Sequence, residues 1–324
     1  MKYTVTIDVE EEGLFGGVYS TGEASANNVY ELDRLDPLFL EQGIRPTLLV
    51  SYQVATKKNI MEKVHNLKNR WNAEVGAHLH HWNTPPIVID TIPAPAPSEL
   101  MSSDLLEAKT HSLLNILSYS DMAVPSFRMG RFNLGPQMFQ VLEKVGIKVD
   151  SSVTPLRKAY GGPDHLCAPT DPYFPDSLAP THVGNSSVLE VPITILPLVK
   201  GVDRWFEFLS NSSFFPGGAA EWLAMNLASI AAQPAWVSLN IAKTAVRLHK
   251  MRGGDCVTIF FHSSELAPGL NPLNPAEEDV QRFIKKLGEF IRWLQGSFHA
   301  KCYTLSELYP IYEPQRSAPA DIVS

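Results

Sequence analysis

Two acidic residues, Asp8 and Glu10, stand two apart in Thr6-Ile7-Asp8-Val9-Glu10, and three histidines crowd into Ala77-His78-Leu79-His80-His81-Trp82. Two imidazoles and one carboxylate make a divalent-metal site that keeps positions open for water and substrate. A second carboxylate beside such a cation serves as a general base toward bound water. Residues i and i+2 of a strand share a face, so Asp8 and Glu10 are offered together, one to a metal and the other to a proton. In extended chain His78 and His80 face one side and His81 the other; a helical turn after His78 would change that choice. Arg128, in Phe127-Arg128-Met129-Gly130-Arg131-Phe132, is placed to keep a carboxylate ionised by charge pairing. The loop after it can aim a backbone N–H at a developing oxyanion. His262 ends the apolar run Thr258-Ile259-Phe260-Phe261, and an imidazole with an ordinary pKa of about 6.5 acts as an acid near neutral pH. These residue types together point to metal-assisted hydrolysis.

Such groups are far apart in sequence, so the fold must gather them. Residues 3–9 alternate, with Tyr3, Val5, Ile7 and Val9 on one face and Thr4, Thr6 and Asp8 on the other. A helix is predicted over 28–42, stopped near Gly43, then a strand over 45–50, a helix over 55–70 and a strand over 73–79. Residues 83–98 carry five prolines and read as a loop. The alternation resumes with a helix over 99–119, a strand over 124–128, a helix over 136–145 and a strand over 147–152. The Pro-, Gly-, Asp- and Ser-rich stretch 155–187 reads as a functional surface loop. Strands over 188–191, 256–261 and 301–303 follow, with mostly helical sequence over 203–250, an amphipathic helix over 277–295 and a helix-like turn at 305–308. Strand and helix alternating in this way predict an α/β fold with mainly parallel strands. The polar motifs fall at strand ends, which in a (β/α) barrel is where an active site gathers. Neither a GxGxxG motif nor a P-loop is present, which argues against dinucleotide or nucleoside triphosphate chemistry.

Composition narrows the class further. A chain of 324 residues with 44% hydrophobic content can bury a sizeable core. The net charge is −7 and no dense Lys/Arg stripe occurs, so nucleic acid is not the expected partner. The three cysteines, Cys167, Cys256 and Cys302, lack CxxC spacing and predict neither a disulfide framework nor a thiolate metal site. With no signal-peptide pattern and no 18-residue apolar span, a soluble cytoplasmic protein without a membrane span is expected.

The ordered set of motifs resembles the polysaccharide deacetylase (NodB-homology) family from Thr6 to Leu308. Thr6-Ile7-Asp8-Val9-Glu10 looks like its aspartate motif and Pro46-Thr47-Leu48-Leu49-Val50 like its second strand. Glu74-Val75-Gly76-Ala77-His78-Leu79-His80 looks like its histidine motif, Phe127-Arg128-Met129-Gly130-Arg131 like its arginine motif and Phe260-Phe261-His262 like its last histidine motif. Two departures mark a divergent branch. The acidic pair is split by Val9, and Trp82 stands where a second histidine is usual, in a His-Leu-His-x-Trp pattern followed by Thr84-Pro85-Pro86. The resemblance implies a deformed (β/α)7-type barrel spanning residues 1–324 as one catalytic domain. It implies one divalent metal, zinc ahead of nickel, cobalt or iron(II), on Glu10, His78 and His80, with His81 in reserve. It further implies Asp8 as base steadied by Arg128, an oxyanion donor at the Arg131 N–H, and His262 as acid oriented by Asp150. The implied substrate is an N-acetylated amino sugar or glycan precursor. Tyr160, Tyr173, Phe174 and Trp205 are candidates for the walls of a sugar groove.

Other readings stay open at this point. Another C–N hydrolase of this fold, allantoinase-like and acting on a small cyclic amide, would share much of the pattern. An iron oxygenase also uses two histidines and a carboxylate, although the α/β pattern speaks against it. An inactive carbohydrate-binding relative would explain Trp82. Oligomeric state is not predicted.

Overall fold

A computed structural model describes residues 1–88, 100–118, 123–157, 164–201 and 228–316. The expectations for residues 89–98, Tyr160, Trp205 and the helical stretch 203–227 lie outside them. The first five strands are β1 (Lys2–Val9), β2 (Thr47–Ser51), β3 (Glu74–Leu79), β4 (Ser126–Met129) and β5 (Val149–Asp150). A hairpin of β6 (Pro175–Asp176) and β7 (Ala179–Val183) precedes β8 (Leu189–Glu190); β9 (Ile195–Pro197) pairs antiparallel with β10 (Ser229–Ala231). The last strands are β11 (Cys256–His262) and β12 (Lys301–Cys302). Seven parallel strands form a curled half-barrel in the order β11-β1-β2-β3-β4-β5-β8, with β12 added beside β1. The predicted deformed (β/α)7-type architecture is therefore the observed one.

Helices cover the outer face because the strands present continuous apolar rows to it. Tyr3, Val5, Ile7 and Val9 of β1 are all fully buried, as are Val257 and Phe261 of β11. The 22-residue helix Glu277–Phe298 lays Val280, Phe283, Leu287, Phe290, Ile291 and Leu294 against that row, the i, i+3, i+7 spacing of one helical face. Phe283 meets the Phe261 ring at 5.3 Å. Helix Pro136–Val145 starts on a proline and stops at Gly146, whose φ of 82° only glycine adopts cheaply.

Three expected elements differ: within the stretch 203–250, expected to be mostly helical, Ser229–Ala231 is the strand β10 and the described helix is Leu239–Met251. The helix expected over 28–42 is a 3₁₀ segment, Asn27–Leu35, followed by the α-helix Asp36–Gln42. Pro37 near the start of that α-helix lacks the N–H an uninterrupted α-helix would need there. The loop expected over 155–187 holds the β6–β7 hairpin.

Among the described residues, no strand pairing closes the barrel between β8 and β11. Side chains cover that margin instead. The four outward N–H groups of β11 donate in turn to the carboxylate of Asp171 (from Cys256, 2.9 Å), the hydroxyl of Thr194 (from Thr258, 2.8 Å), the amide oxygen of Gln233 (from Phe260, 3.0 Å) and the carboxylate of Glu265 (from His262, 3.1 Å). Gln233 also donates to the Thr258 carbonyl at 2.7 Å, so one buried amide mimics a neighbouring strand. Among the described residues no helix is long and apolar enough to cross a membrane.

Candidate metal centre

Parallel register brings the chemistry-bearing residues to one end of the sheet. Asp8 lies opposite His262, Ser51 opposite His78, and His78 opposite Arg128. All are at the carboxyl ends of their strands, the end at which barrel sites assemble. Asp8, Glu10, His78, His80 and His262 floor a cleft of about 500 Å³ whose walls include Phe15, Tyr19, Trp82, Phe132, Trp236 and Phe260. A larger cavity of about 740 Å³, bordered by Asp171, His249 and Arg252, contains none of them.

Glu10, His78 and His80 bring one ligand atom each within 4.8 Å of one another, and all three are buried. The two Nε2 atoms are 3.0 Å apart, and the Glu10 carboxylate lies 3.4 Å from one and 3.3 Å from the other. His78 Nδ1 is 3.1 Å from the Arg128 carbonyl and His80 Nδ1 is 2.8 Å from the Glu11 carboxylate. A carbonyl and a carboxylate only accept, so both histidines carry their proton on Nδ1. The two Nε2 atoms then face each other and the Glu10 carboxylate. Without a metal, a proton on the His80 Nε2 lies between these groups, and a divalent cation would take its place. The donor set fits a divalent metal, whose bonds to nitrogen and oxygen of about 2.0–2.2 Å span donor separations of this size. The Nδ1 partners are the kind of outer hydrogen bond that fixes ligand orientation.

The supports of this cluster were not evident from sequence. Glu11 accepts from the Ser51 hydroxyl at 2.9 Å and from the Asn83 amide as well as from His80. Burial raises and His80 more than offsets it, leaving the Glu11 carboxyl below its ordinary range. Asn28 donates to the Glu10 carbonyl at 3.1 Å and to Ser263 at 2.9 Å, which pins the backbone that carries Glu10. Trp82 stacks on His80, with centroids 4.4 Å apart and planes 20° from parallel. His81 is outside the cluster: it sits edge-on to Trp82, and burial with the nearby cations His80, Lys109 and Arg131 pushes its pKa down to about 3. For His80 itself, burial is outweighed by Glu11 and Glu10, which raise it to about 10.

Gly130 touches the back of His80. A Cβ there would lie 2.5 Å from the His80 Cδ2 and 2.8 Å from the Leu79 carbonyl. Gly130→Ala should displace the ring and weaken metal affinity by about 10–100-fold, the range for disturbed outer contacts. Competition against a chromogenic chelator measures it; unchanged affinity would show that His80 is not held from this side.

Behind the histidines, Lys109 is buried and donates to the Thr84 and Pro86 carbonyls, each at 2.7 Å. Burial pushes its pKa down from 10.5 to about 8. An amine lowered on folding penalises the fold while charged, below about 8, and that penalty fades as pH rises toward the unfolded value. Relative to Lys109→Met, wild type should therefore gain thermal midpoint between pH 8 and 10. Parallel melting curves for the two proteins across that window would refute this.

Asp8 sits beside the cluster, its Oδ2 3.9 Å from His78 Nε2 and 3.8 Å from His262 Nε2. Its other oxygen accepts from Arg128 at 2.6 Å. Arg128 is fully buried and also donates to Thr6, to the Ser151 carbonyl and to the Ser151 hydroxyl, at 2.7–2.9 Å. His262 lies between the rings of Phe15 (4.8 Å) and Phe260 (5.4 Å). Its Nδ1 is 2.9 Å from the Glu265 carboxylate. Burial would lower the imidazole; Glu10, the Glu265 hydrogen bond and Asp8 outweigh it and raise it to about 9.

Asp150 does not take the orienting place expected of it. Its carboxylate accepts from the Ser152 hydroxyl at 2.7 Å and the Ser152 N–H at 3.1 Å, behind Arg128, while Glu265 holds His262. A 3₁₀ turn, Ser263–Leu266, directly after β11 places Glu265 under the ring three residues earlier. Arg131 follows β4 with a left-handed φ of 57°, and its guanidinium donates to the Tyr19 hydroxyl at 2.7 Å across the cleft. Tyr173 and Phe174 line the larger cavity, not the metal cleft.

No protein-family model and no curated protein sequence matches the chain. Solved structures do. One, from Parabacteroides distasonis and assigned as a glycoside hydrolase/deacetylase, superposes with a TM-score of 0.64 at 12% identity, over 99% of this chain and 73% of its own. Another, from Mycobacterium smegmatis and assigned as a polysaccharide deacetylase, gives 0.58 at 13% identity, over 100% and 93%. A 4-alpha-glucanotransferase from Thermococcus litoralis gives 0.50 at 11% identity, over 95% of this chain and 40% of that enzyme. At such identities the likeness concerns the fold alone, which this chain shares with proteins assigned as polysaccharide deacetylases and with the glucanotransferase.

Proposed function

We propose that the protein is a metal-dependent N-deacetylase acting on an N-acetylated amino sugar or a glycan precursor. The observation that carries this reading is the Glu10–His78–His80 triad flanked by Asp8 and His262, a cation site with a base and an acid on either side. The fold shared with proteins assigned as deacetylases supports the choice of reaction.

Glu10, His78 and His80 would hold the cation, zinc ahead of nickel, cobalt or iron(II). When bound, it supplies Lewis acidity toward the acyl oxygen and lowers the pKa of its water. Asp8, kept in place by Arg128, takes the proton of the attacking water. Negative charge developing on the acyl oxygen is met by the backbone N–H of Arg131. His262, protonated near neutral pH and aimed by Glu265, gives its proton to the departing amine, which is a poor leaving group without it. The aromatic walls of the cleft cover the apolar faces of a sugar ring.

The test is acetate release from N-acetylglucosamine, its nucleotide-linked form and chitooligosaccharides, with zinc, cobalt or nickel supplied. Release that depends on both metal and His262 is expected. No release from any of them, with metal bound at the triad, would defeat the reading.

A further inference from the structure

Two buried carboxyl groups, Asp150 and Glu190, face each other across paired strands behind Arg128, and the proposed chemistry uses neither. They are register partners on β5 and β8 and both are fully buried. Asp150 receives two hydrogen bonds from Ser152. Glu190 receives one, from the Val153 N–H at 3.0 Å, on Oε1. Its Oε2 is buried and, among the described residues, accepts from no N–H or O–H group. The neighbouring Tyr173 hydroxyl is turned away, donating to the Pro180 carbonyl at 2.6 Å.

We propose that Glu190 keeps its proton at neutral pH and donates it from Oε2 to Asp150, and that this acid–carboxylate pair is the positioning device for Arg128. Two ionised carboxylates only accept and repel each other, so a neighbouring pair stripped of water holds one proton between them. Glu190 is the carrier because Asp150 has the two Ser152 donors and the Arg128 charge to favour its ionised form. Burial, with Asp150 beside it, raises the Glu190 carboxyl well above the ordinary range; Asp150 is raised by burial too, against the Ser152 hydrogen bonds and the nearby Arg128. Arg128 and Tyr173 are the other titratable groups facing the pair.

The positioning role follows from where the bonds lead. Glu190 grips the segment 150–153 at both ends, Val153 through one oxygen and Asp150 through the other. That segment presents the Ser151 carbonyl and hydroxyl to Arg128 at 2.7 and 2.9 Å. The Ser152 hydroxyl accepts from the Met129 N–H at 2.8 Å, one residue past Arg128. Releasing the grip frees the acceptors that hold the guanidinium against Asp8.

Infrared spectroscopy of the whole protein at pH 7 tests the proton directly. A protonated-carboxyl C=O band that shifts in D₂O and is missing in Glu190→Gln is expected; its absence from wild type overturns the proposal. Glutamine keeps a donor toward Asp150 and an acceptor toward Val153, whereas leucine keeps neither. Glu190→Leu should therefore lower kcat about 100-fold with metal content unchanged, and Glu190→Gln should restore it to within about threefold. Equal damage from both variants would overturn the positioning role. That role rests on the deacetylase reading; the infrared band does not, so failure of one is distinguishable from failure of the other. If the leucine variant does not fold, the band and the glutamine variant's kcat still decide.

Discussion

Asp8→Asn is expected to lower kcat by roughly 10²–10⁴, the contribution of a positioned general base, with KM and metal content near wild type. Asparagine preserves the shape of the side chain and an oxygen for Arg128 to reach. It cannot take a proton from water. Because Asp8 stands beside the triad and not within it, the metal should remain. A second consequence concerns stability. Arg128 is fully buried and its direct ion-pair partner is Asp8. Removing the charge leaves a buried guanidinium facing Asp150 alone, and breaking such a pair typically costs about 3–5 kcal/mol. Steady-state kinetics, elemental analysis and a melting curve on the same preparation check all three. A variant that turns over at near wild-type rate would remove Asp8 from the chemistry.

The other large effect is expected from His78→Ala and His80→Ala. Protein purified without chelator should carry close to one metal per chain, and each variant much less, with affinity weakened by more than the roughly 100-fold seen for outer contacts. The same experiment has a pH signature. Without a cation, His80 is held up at about 10 by the surrounding carboxylates after burial is overcome, so loading metal at neutral pH must expel a proton. Affinity should rise with pH, and calorimetry in buffers of different ionisation enthalpy should count the released proton. His81→Ala, with its ring outside the triad, serves as the comparison and should keep its metal. Loss of metal from His81→Ala in place of His80→Ala would reassign the second ligand.

Much of the architecture was legible because periodicity reports it. The alternation at 3–9 marks a strand with one face on the core, and β1 is that strand; the helix at 136–145 is bounded by a proline and a glycine and appears with those limits. Residues 28–42 misled because an apolar stripe does not distinguish 3₁₀ from α geometry over one or two turns. At the centre, Asp8, Glu10, His78, His80, Arg128 and His262 converge because parallel strands deliver their ends to one rim. What stayed hidden were the residues that orient the histidines. Glu11 reads as the middle of a solvated acidic run, yet its carboxylate is buried under His80. Glu265 lies three residues past His262, and nothing in the string says that a 3₁₀ turn will fold it back. Asp150 has the type and strand position of an orienting carboxylate, and only the spatial neighbours show that it belongs with Ser152, Glu190 and Arg128.

The margin of β11 has a mechanical implication. A sheet rim that depends on four separate side chains is a seam of independent stitches, and the last stitch, Glu265, also sets the rotation of the His262 ring. Fraying of that rim does not stay a matter of folding: under the proposed chemistry it reaches the imidazole that delivers a proton, so local unzipping and loss of turnover become the same event.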